Sequence, residues 1–421
     1  MATHSEALLI SAMIRTRDAT THAHAGVTVS HFHVYEAEWR WVERYIARFR
    51  KTPSKEAFRL KFPDFPLKAV DDVEHFCDEV RREHARFLFS EVVEQALDFV
   101  EYGDIEAGAS VLRSGLTSIE SSLQGDSGAF SLLADDSSIY ADVKHRVDTA
   151  ASTGQAGVPL GFPTLDSATG GAQPGDYIIV GARLGIGKTW TLIQMATAAM
   201  IAGHQVMFVT LEQTRNQIAF RIHNLLSATL AKRVFSSSEL MTGKGFSLAE
   251  YKKFLDDLKT RAGLGDIHIL DGSRGKVSAA TLGANIERVK PDIVFVDYLT
   301  LLDTRDKDWQ SVAKLSNDVQ HLAMRYQVPI VAAAQINRGG EGMEPPMVSQ
   351  LGLSDAIGQD ADVVVTLGKQ SEHILKFRLA KFRNGSSAIM WHCQFDPSSG
   401  NFKEVSYNKA REIIERDSEV D

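Results

Sequence analysis

Beyond residue 176 the chain alternates short apolar runs with stretches of helical period, and this alternation restricts the fold more than any other feature. The runs are YIIV, VMFVTL, IHIL, IVFVD, VPIVAAAQ and DVVVTL, with helical periods between them at 190–202, 214–230, 279–289 and 310–326. A continuous apolar run has no polar face to turn to water, so each such strand is expected to be covered on both sides. That predicts a mostly parallel sheet flanked by helices, an α/β domain. The last two segments, HILKFRLAKFRNG and SSAIMWHCQFD, alternate and are joined across Asn384-Gly385. They predict an antiparallel hairpin appended to the sheet.

Ahead of this region the character differs. Through about residue 120 apolar residues recur at three and four spacing, as in Phe87, Val92, Ala96, Phe99 and Val100, which predicts a small all-α N-terminal domain over 1–125. Trp39 and Trp41, followed by Tyr45, Phe49 and Phe58, read as its core, with a base-stacking patch as the weaker alternative. The serine-, glycine- and aspartate-rich stretch SSLQGDSGAFSLLADDSS marks an exposed connection. A linker with a short helix is therefore expected over 126–158, the α/β domain over 159–408 and a polar tail over 409–421. No internal repeat or useful coiled-coil period is present.

In VGARLGIGKTWTL, an apolar strand breaks into a glycine-rich turn and runs straight into a helix with a Leu192/Met195/Ala196/Ala199 face. Such a turn presents successive backbone N–H groups at a helix N-terminus, a cradle for phosphate. The segment Ala182, Arg183, Leu184, Gly185, Ile186, Gly187, Lys188, Thr189 and Trp190 is the expected nucleotide loop. Lys188 is suited to reach the β- and γ-phosphates of ATP and Thr189 to ligate Mg²⁺. Hydrolysis also needs acids on neighbouring strand ends. VMFVTLE ends on Glu212, placed to orient and deprotonate the attacking water, and IVFVDY carries Asp297, suited to hold Mg²⁺ through water. Gln335, at the end of VPIVAAAQ, is a candidate γ-phosphate sensor, with a capping amide as the plain alternative. Lys381 and Arg383 stand two apart in KFRNG, on one face of a strand, and are candidate cations for a neighbouring subunit's nucleotide; a solvated face is the competing reading.

Composition removes other classes. The 46 basic and 54 acidic side chains give a formal charge of -8, which argues against nonspecific coating of nucleic acid or membrane but is compatible with a small cationic pore. Cys77 and Cys393 are far apart and outside metal-ligand spacing, so no disulfide framework or zinc site is indicated and a reducing cytoplasm is expected. The start lacks the basic leader and cleavage pattern of a signal peptide. The most apolar longer segment, 177–203, contains Arg183 and Lys188 and is a poor membrane span. His22, His24, His31 and His33 have metal-like spacing, but no cysteine or clustered carboxylate completes a set, so packing or surface histidines are expected.

Taken in order over roughly residues 155 to 405, GFPTLDSATGGAQPGD, GARLGIGKT, VTLEQTRNQIAFR, IVFVDYLTLL, VPIVAAAQINR, GQDADVVV and LAKFRNG resemble the RecA-like motor domain of DnaB-type replicative helicases. In that family the first loop position is commonly alanine, as at Ala182, and Arg221 falls where the family has an arginine. The first 120 residues resemble the family's helical collar more weakly, chiefly through SEALLISAMI.

The resemblance implies a homohexameric ring, from a bacterial cell or a phage, that uses ATP and Mg²⁺ to travel 5′ to 3′ on single-stranded DNA and open a replication fork by strand exclusion. Primase and a helicase loader are the implied partners. Glu212 is implied as base, Asp297 as the second acid, Gln335 as sensor, and Lys381 with Arg383 as cations acting across the subunit boundary. The connector at 136–151 would be the helix that docks on the next protomer. The presumed DNA loop departs from the family: Gly352, Leu353, Ser354 and Asp355 stand where an Arg-Glu pair and Ser-Gly are frequent. Backbone N–H groups near Gly352 and Ser354, or Arg338, would have to serve. Arg305 and Lys307, beside Trp309, form a second candidate DNA loop or a plain surface turn. Two other functions share the nucleotide residues, a RecA-like recombination or repair ATPase and an ATP-gated loader or clamp.

Overall fold

A computed structural model describes residues 3–19, 21–124, 136–275, 277–302, 309–335, 344–347 and 355–419. Two compact units emerge, Met1–Tyr140 and Ala141–Asp421, with the division inside the helix Asp136–Thr153. Among the described residues no helix is long and apolar enough to cross a membrane.

The first unit is helical. Leu9, Ile10 and Met13 on the helix Thr3–Thr16 recur at helical spacing and are fully buried with Trp39, Phe58 and Cys77. Trp39 stacks on Phe32 with ring centroids 4.2 Å apart, and His22 meets it edge-on at 5.2 Å. The Asp72 side chain accepts the His75 N–H at 3.0 Å and starts the helix Val73–Glu101. A short connection returns the chain as Ile105–Gln124. Gly115 faces the first of these helices so closely that a Cβ there would stand 2.2 Å from a Val92 methyl, which is why glycine is found at this contact. The apolar face expected around Phe87 is only partly covered. Ala96 is buried, whereas Phe87, Phe99 and Val100 are 49%, 42% and 48% exposed. Gly108 of the returning helix reaches Phe99 and Val100, where a Cβ would stand 3.2 Å from a Val100 methyl, but without a side chain it covers them only in part; Phe87 meets the His33 ring at 4.2 Å.

The second unit is built on a nine-stranded sheet in the order β3-β2-β4-β5-β1-β6-β7-β8-β9. The strands are β1 (Tyr177–Ala182), β2 (Gln205–Thr210), β3 (Asp266–Asp271), β4 (Ile293–Asp297), β5 (Ile330–Gln335), β6 (Val363–Lys369), β7 (Ile374–Phe382), β8 (Ile389–Asp396) and β9 (Asn401–Val405). From β3 to β6 neighbours are parallel, and from β6 to β9 antiparallel. Side-chain alternation divides β1 between two cores. Ile178, Val180 and Ala182 join the helix Lys188–Ile201, including Leu192, Met195, Ala196 and Ala199; Tyr177 and Ile179 join the helices Ala279–Val289 and Trp309–Tyr326. Every residue of β1 and β4 is buried, as a strand covered on both faces requires.

Four local features depart from expectation. β3 is the sheet edge and is only partly buried, because no strand lies beyond it. β7 and β8 do pair antiparallel, but Asn384-Gly385 is not a two-residue hairpin turn: pairing ends at Leu379↔Ile389. The Arg383 N–H donates to Asp362 O at 2.9 Å, which keeps the chain beside β6 past the end of β7, and the return is completed at Ala388 with φ 68. β9 adds a strand that the sequence pattern did not announce. Finally, the polar tail forms a helix, Tyr407–Ser418, capped by the Ser406 side chain and burying Ala410 and Ile413 against Ile374.

One half-buried acid makes the second unit pH-sensitive. Burial pushes the Asp176 carboxyl up to about 6, against the hydrogen bond it accepts from the Gln173 N–H at 2.8 Å, and Asp362 adds to the rise. A carboxyl raised on folding favours the folded state below its unfolded pKa, and that advantage is lost as pH climbs through 6. Asp176→Asn is therefore expected to raise Tm by a few degrees at pH 8, roughly 1 kcal/mol or more. The gap should close progressively below pH 6, which calorimetry at several pH values will read.

Candidate nucleotide-binding site

β1 delivers the glycine turn to the C-terminal edge of the parallel strands, the edge at which open α/β sheets bind ligands. Gly185 and Gly187 have φ of 79° and 115°, conformations costly for a side-chain-bearing residue, and Gly187 is the N-cap of the helix Lys188–Ile201. The helix thus opens with backbone donors facing the loop. Lys188 folds back over the turn and donates to Ala182 O at 3.0 Å and Arg183 O at 3.2 Å. Burial lowers its pKa, opposed by Asp297 and Glu212.

Strand register assembles the remaining groups. Thr210 of β2 is level with Asp297 of β4, and Ala182 of β1 is level with Gln335 of β5. Glu212 follows two residues past its strand level, where the Leu211 N–H donates to Asp297 O at 3.0 Å. Asp297 is only 1% exposed, and its Oδ2 accepts the Thr189 hydroxyl at 2.8 Å. Burial pushes the Asp297 carboxyl up; the Thr189 bond, Lys188 and Arg221 hold it down, and Glu212 adds to the rise.

These groups surround a cavity of about 330 Å³ lined by Leu184, Gly185, Gly187, Lys188, Thr189, Trp190, Glu212, Gln213, Arg221, Asp297, Tyr298 and Gln335. Cations, two carboxylates, two amides and a helix N-terminus share one space, which suits binding of a polyphosphate and activation of water beside it. Of the expected loop, Ala182, Arg183 and Ile186 shape the turn without lining the cavity. Gln213 and Tyr298 line it unanticipated, although each directly follows one of the two acids. A larger cavity, about 480 Å³, lies between β3 and the helices Arg215–Leu230 and Leu248–Thr260, away from these strand ends.

Two expected groups lie elsewhere. Lys381 donates to Gly358 O at 2.8 Å and Gln359 O at 2.7 Å, and Arg383 pairs with Asp362 at 2.7 Å. Neither lines the chain's own cavity. Arg305, Lys307, Arg338, Gly352 and Ser354 lie outside the described residues. The expected packing role of the N-terminal histidines fits His31, which is buried and whose Nδ1 accepts the Thr28 N–H at 3.1 Å. Among the described residues no three His, Cys, Asp or Glu side chains converge on a metal geometry.

The likeness to known proteins follows the same stretch. The chain is 32% identical over 228 residues to the replicative DNA helicase DnaB of Leifsonia xyli subsp. xyli, covering 52% of this chain and 48% of that protein. It is 29% identical over 248 residues to the replicative DNA helicase DnaC of Bacillus subtilis, covering 54% and 52%. The match thus spans about half the length of these curated relatives. Two solved structures share the fold. A DnaB-like replicative helicase, described with its interactions with primase, has a TM-score of 0.59 at 18% identity over 96% of this chain and 100% of that one. The second, a structure of an ATPase domain, has a TM-score of 0.55 at 21% identity over 66% and 99%. The family described as "DnaB-like helicase C terminal domain" matches residues 157–404, the span that contains β1 to β9 up to Glu404 and every residue of the cavity, and the chain belongs to that family.

Proposed function

We propose that the protein is an ATP-driven replicative DNA helicase, a homohexameric ring that encircles single-stranded DNA and opens a fork by strand exclusion. The observation that carries this reading is the convergence of Lys188, Thr189, Glu212, Asp297 and Gln335 on one cavity at the strand ends. In the proposed reaction the Glu212 carboxylate takes a proton from water as its oxygen bonds to the γ-phosphorus and the β–γ bridging P–O bond breaks. Lys188 leaves its two carbonyl partners for the phosphates, and Gln335 reports the γ-phosphate to the loop that follows β5.

ATP and Mg²⁺ are the proposed cofactors. The adjacent Thr189 hydroxyl and Asp297 carboxylate fit Mg²⁺, a hard cation that takes oxygen ligands and keeps part of its water shell, so no dedicated protein cage is needed. When bound it neutralises charge on the phosphate oxygens.

Assembly is supported by the absence of Lys381 and Arg383 from the cavity of their own chain, and by Tyr140, Val143 and Val147 on the helix Asp136–Thr153, which are 70%, 51% and 61% exposed. A head-to-tail contact must close into a ring to avoid a filament. Arg305, Lys307, Arg338, Gly352 and Ser354 are proposed DNA contacts, primase and a loader proposed partners, and the cytoplasm of a bacterial or phage-infected cell the proposed location. The full chain is expected to separate a forked duplex with a 5′ tail when given ATP and Mg²⁺, and to stop on chelation with EDTA. Strand pairing without unwinding would favour a recombination ATPase; DNA-independent hydrolysis without unwinding would favour a loader or clamp.

A further inference from the structure

The residue after Thr189 is a tryptophan, in the first turn of the helix Lys188–Ile201. Phe395 of β8 meets the Trp190 ring edge-on, with centroids 5.8 Å apart and planes at 62°. The Arg221 guanidinium, from the helix Arg215–Leu230, lies over the same indole with Cζ 5.2 Å from the ring centroid. Arg221 and Trp190 both line the nucleotide cavity, as do Glu212 and Asp297. Both carboxylates act on the guanidinium through their charge, yet among the described residues Arg221 makes no side-chain hydrogen bond or ion pair with either. The indole face, rather than a carboxylate oxygen, is what the guanidinium lies against. A guanidinium stacked on an aromatic face gains cation–π attraction and keeps the N–H donors in its own plane available at its edge.

We propose that Trp190 is a positioning residue: its indole face holds Arg221 off Glu212, so that the base keeps its lone pairs for water and the guanidinium edge remains open to the triphosphate. This rests on the ATPase reading above and adds to it a division of labour within the loop. Lys188 and Thr189 reach the nucleotide directly, whereas Trp190 acts through Arg221. Without the indole the guanidinium closes on the nearest carboxylate, and the loss falls on the chemical step more than on binding.

The experiment compares wild type, Trp190→Leu, Trp190→Phe, Arg221→Met and the double variant Trp190→Leu/Arg221→Met in the full chain. The readouts are steady-state ATP hydrolysis, binding of a fluorescent ATP analogue, and urea unfolding. Trp190→Leu keeps apolar bulk without a ring face and is expected to lower kcat roughly tenfold, with KM changed by less than about twofold. Trp190→Phe, which restores a smaller face, should keep at least about a third of wild-type kcat. In the Arg221→Met background Trp190→Leu should cost nothing further, since residues that act as a unit are non-additive. Overturning results are an unchanged kcat in Trp190→Leu, an effect confined to KM, or the same fold-loss with and without Arg221. A wild type that neither binds nor hydrolyses ATP would fail the ATPase reading instead. The urea cycle still decides the stack in that case: coupled midpoints support it, and additive ones overturn it.

Discussion

Glu212→Gln is expected to lower ATP turnover by roughly a thousandfold and to abolish fork unwinding, while nucleotide binding and ring assembly persist. Glutamine keeps the size and the hydrogen-bonding oxygen of the side chain but cannot take a proton from water. Thr210 supports the backbone here, its hydroxyl accepting the Gln213 N–H at 3.3 Å and donating to Gln213 O at 3.1 Å, and the substitution touches neither bond. Lys188 and Thr189, which would hold the phosphates, also remain. Binding of a fluorescent ATP analogue, native mass and phosphate release measured on one preparation separate the outcomes. Retained turnover would move the base elsewhere in the cavity; lost binding would mean that Glu212 organises the loop.

The second large effect is expected from Arg383→Ala, and it has to appear between subunits. A cation that stabilises a neighbour's transition state is worth about 10³ to 10⁵ in turnover. Arg383 is held in its own chain by Asp362, itself fixed by the bond its Oδ2 accepts from the Tyr177 N–H at 3.0 Å. Half of the Arg383 side chain, 51%, remains exposed, so the guanidinium can leave this partner for a neighbouring copy. Mixing Arg383→Ala chains with Glu212→Gln chains, each nearly inactive alone, should restore turnover, because an interface that takes Glu212 from the first and Arg383 from the second is intact. Asp362→Asn provides the control. It breaks the ion pair but leaves the cation, so turnover should survive. No recovery on mixing, or a monomer hydrolysing ATP at full rate, would end the shared-site reading.

Much of the second unit was legible locally. Apolar runs long enough for a strand and too short for a helix, each followed by a helical period, were enough to predict the parallel strands β1, β2, β4, β5 and β6, and the glycine turn was recognisable because its backbone conformations nearly require glycine. What escaped was whatever depended on the neighbour. IHIL reads like the other runs, and only its edge position leaves it half covered. Phe87, Phe99 and Val100 have the spacing of a buried stripe, but the returning helix meets Phe99 and Val100 with Gly108, which has no side chain to cover them, and they stay partly exposed. Residues 409–421 look polar because only Ala410 and Ile413 are needed to seat a short helix. Gln213 and Tyr298 carry no motif at all, and enter the site only because they follow acids on adjacent strand ends.

The nature of the chemistry was therefore written in short range: a phosphate cradle, its lysine and threonine, and acids closing buried strands are features of contiguous residues whose backbone and side chains dictate them. Which of these groups meet was settled by pairing between distant segments. The β2–β4 and β1–β5 registers bring Glu212, Asp297 and Gln335 to the loop. The antiparallel extension carries Lys381 and Arg383 away from it to Asp362 and the carbonyls near Gly358. The placement of Arg221 over Trp190 belongs to the same category, since a cation and a ring thirty-one positions apart become partners only when the helices that follow β1 and β2 pack side by side on one face of the sheet.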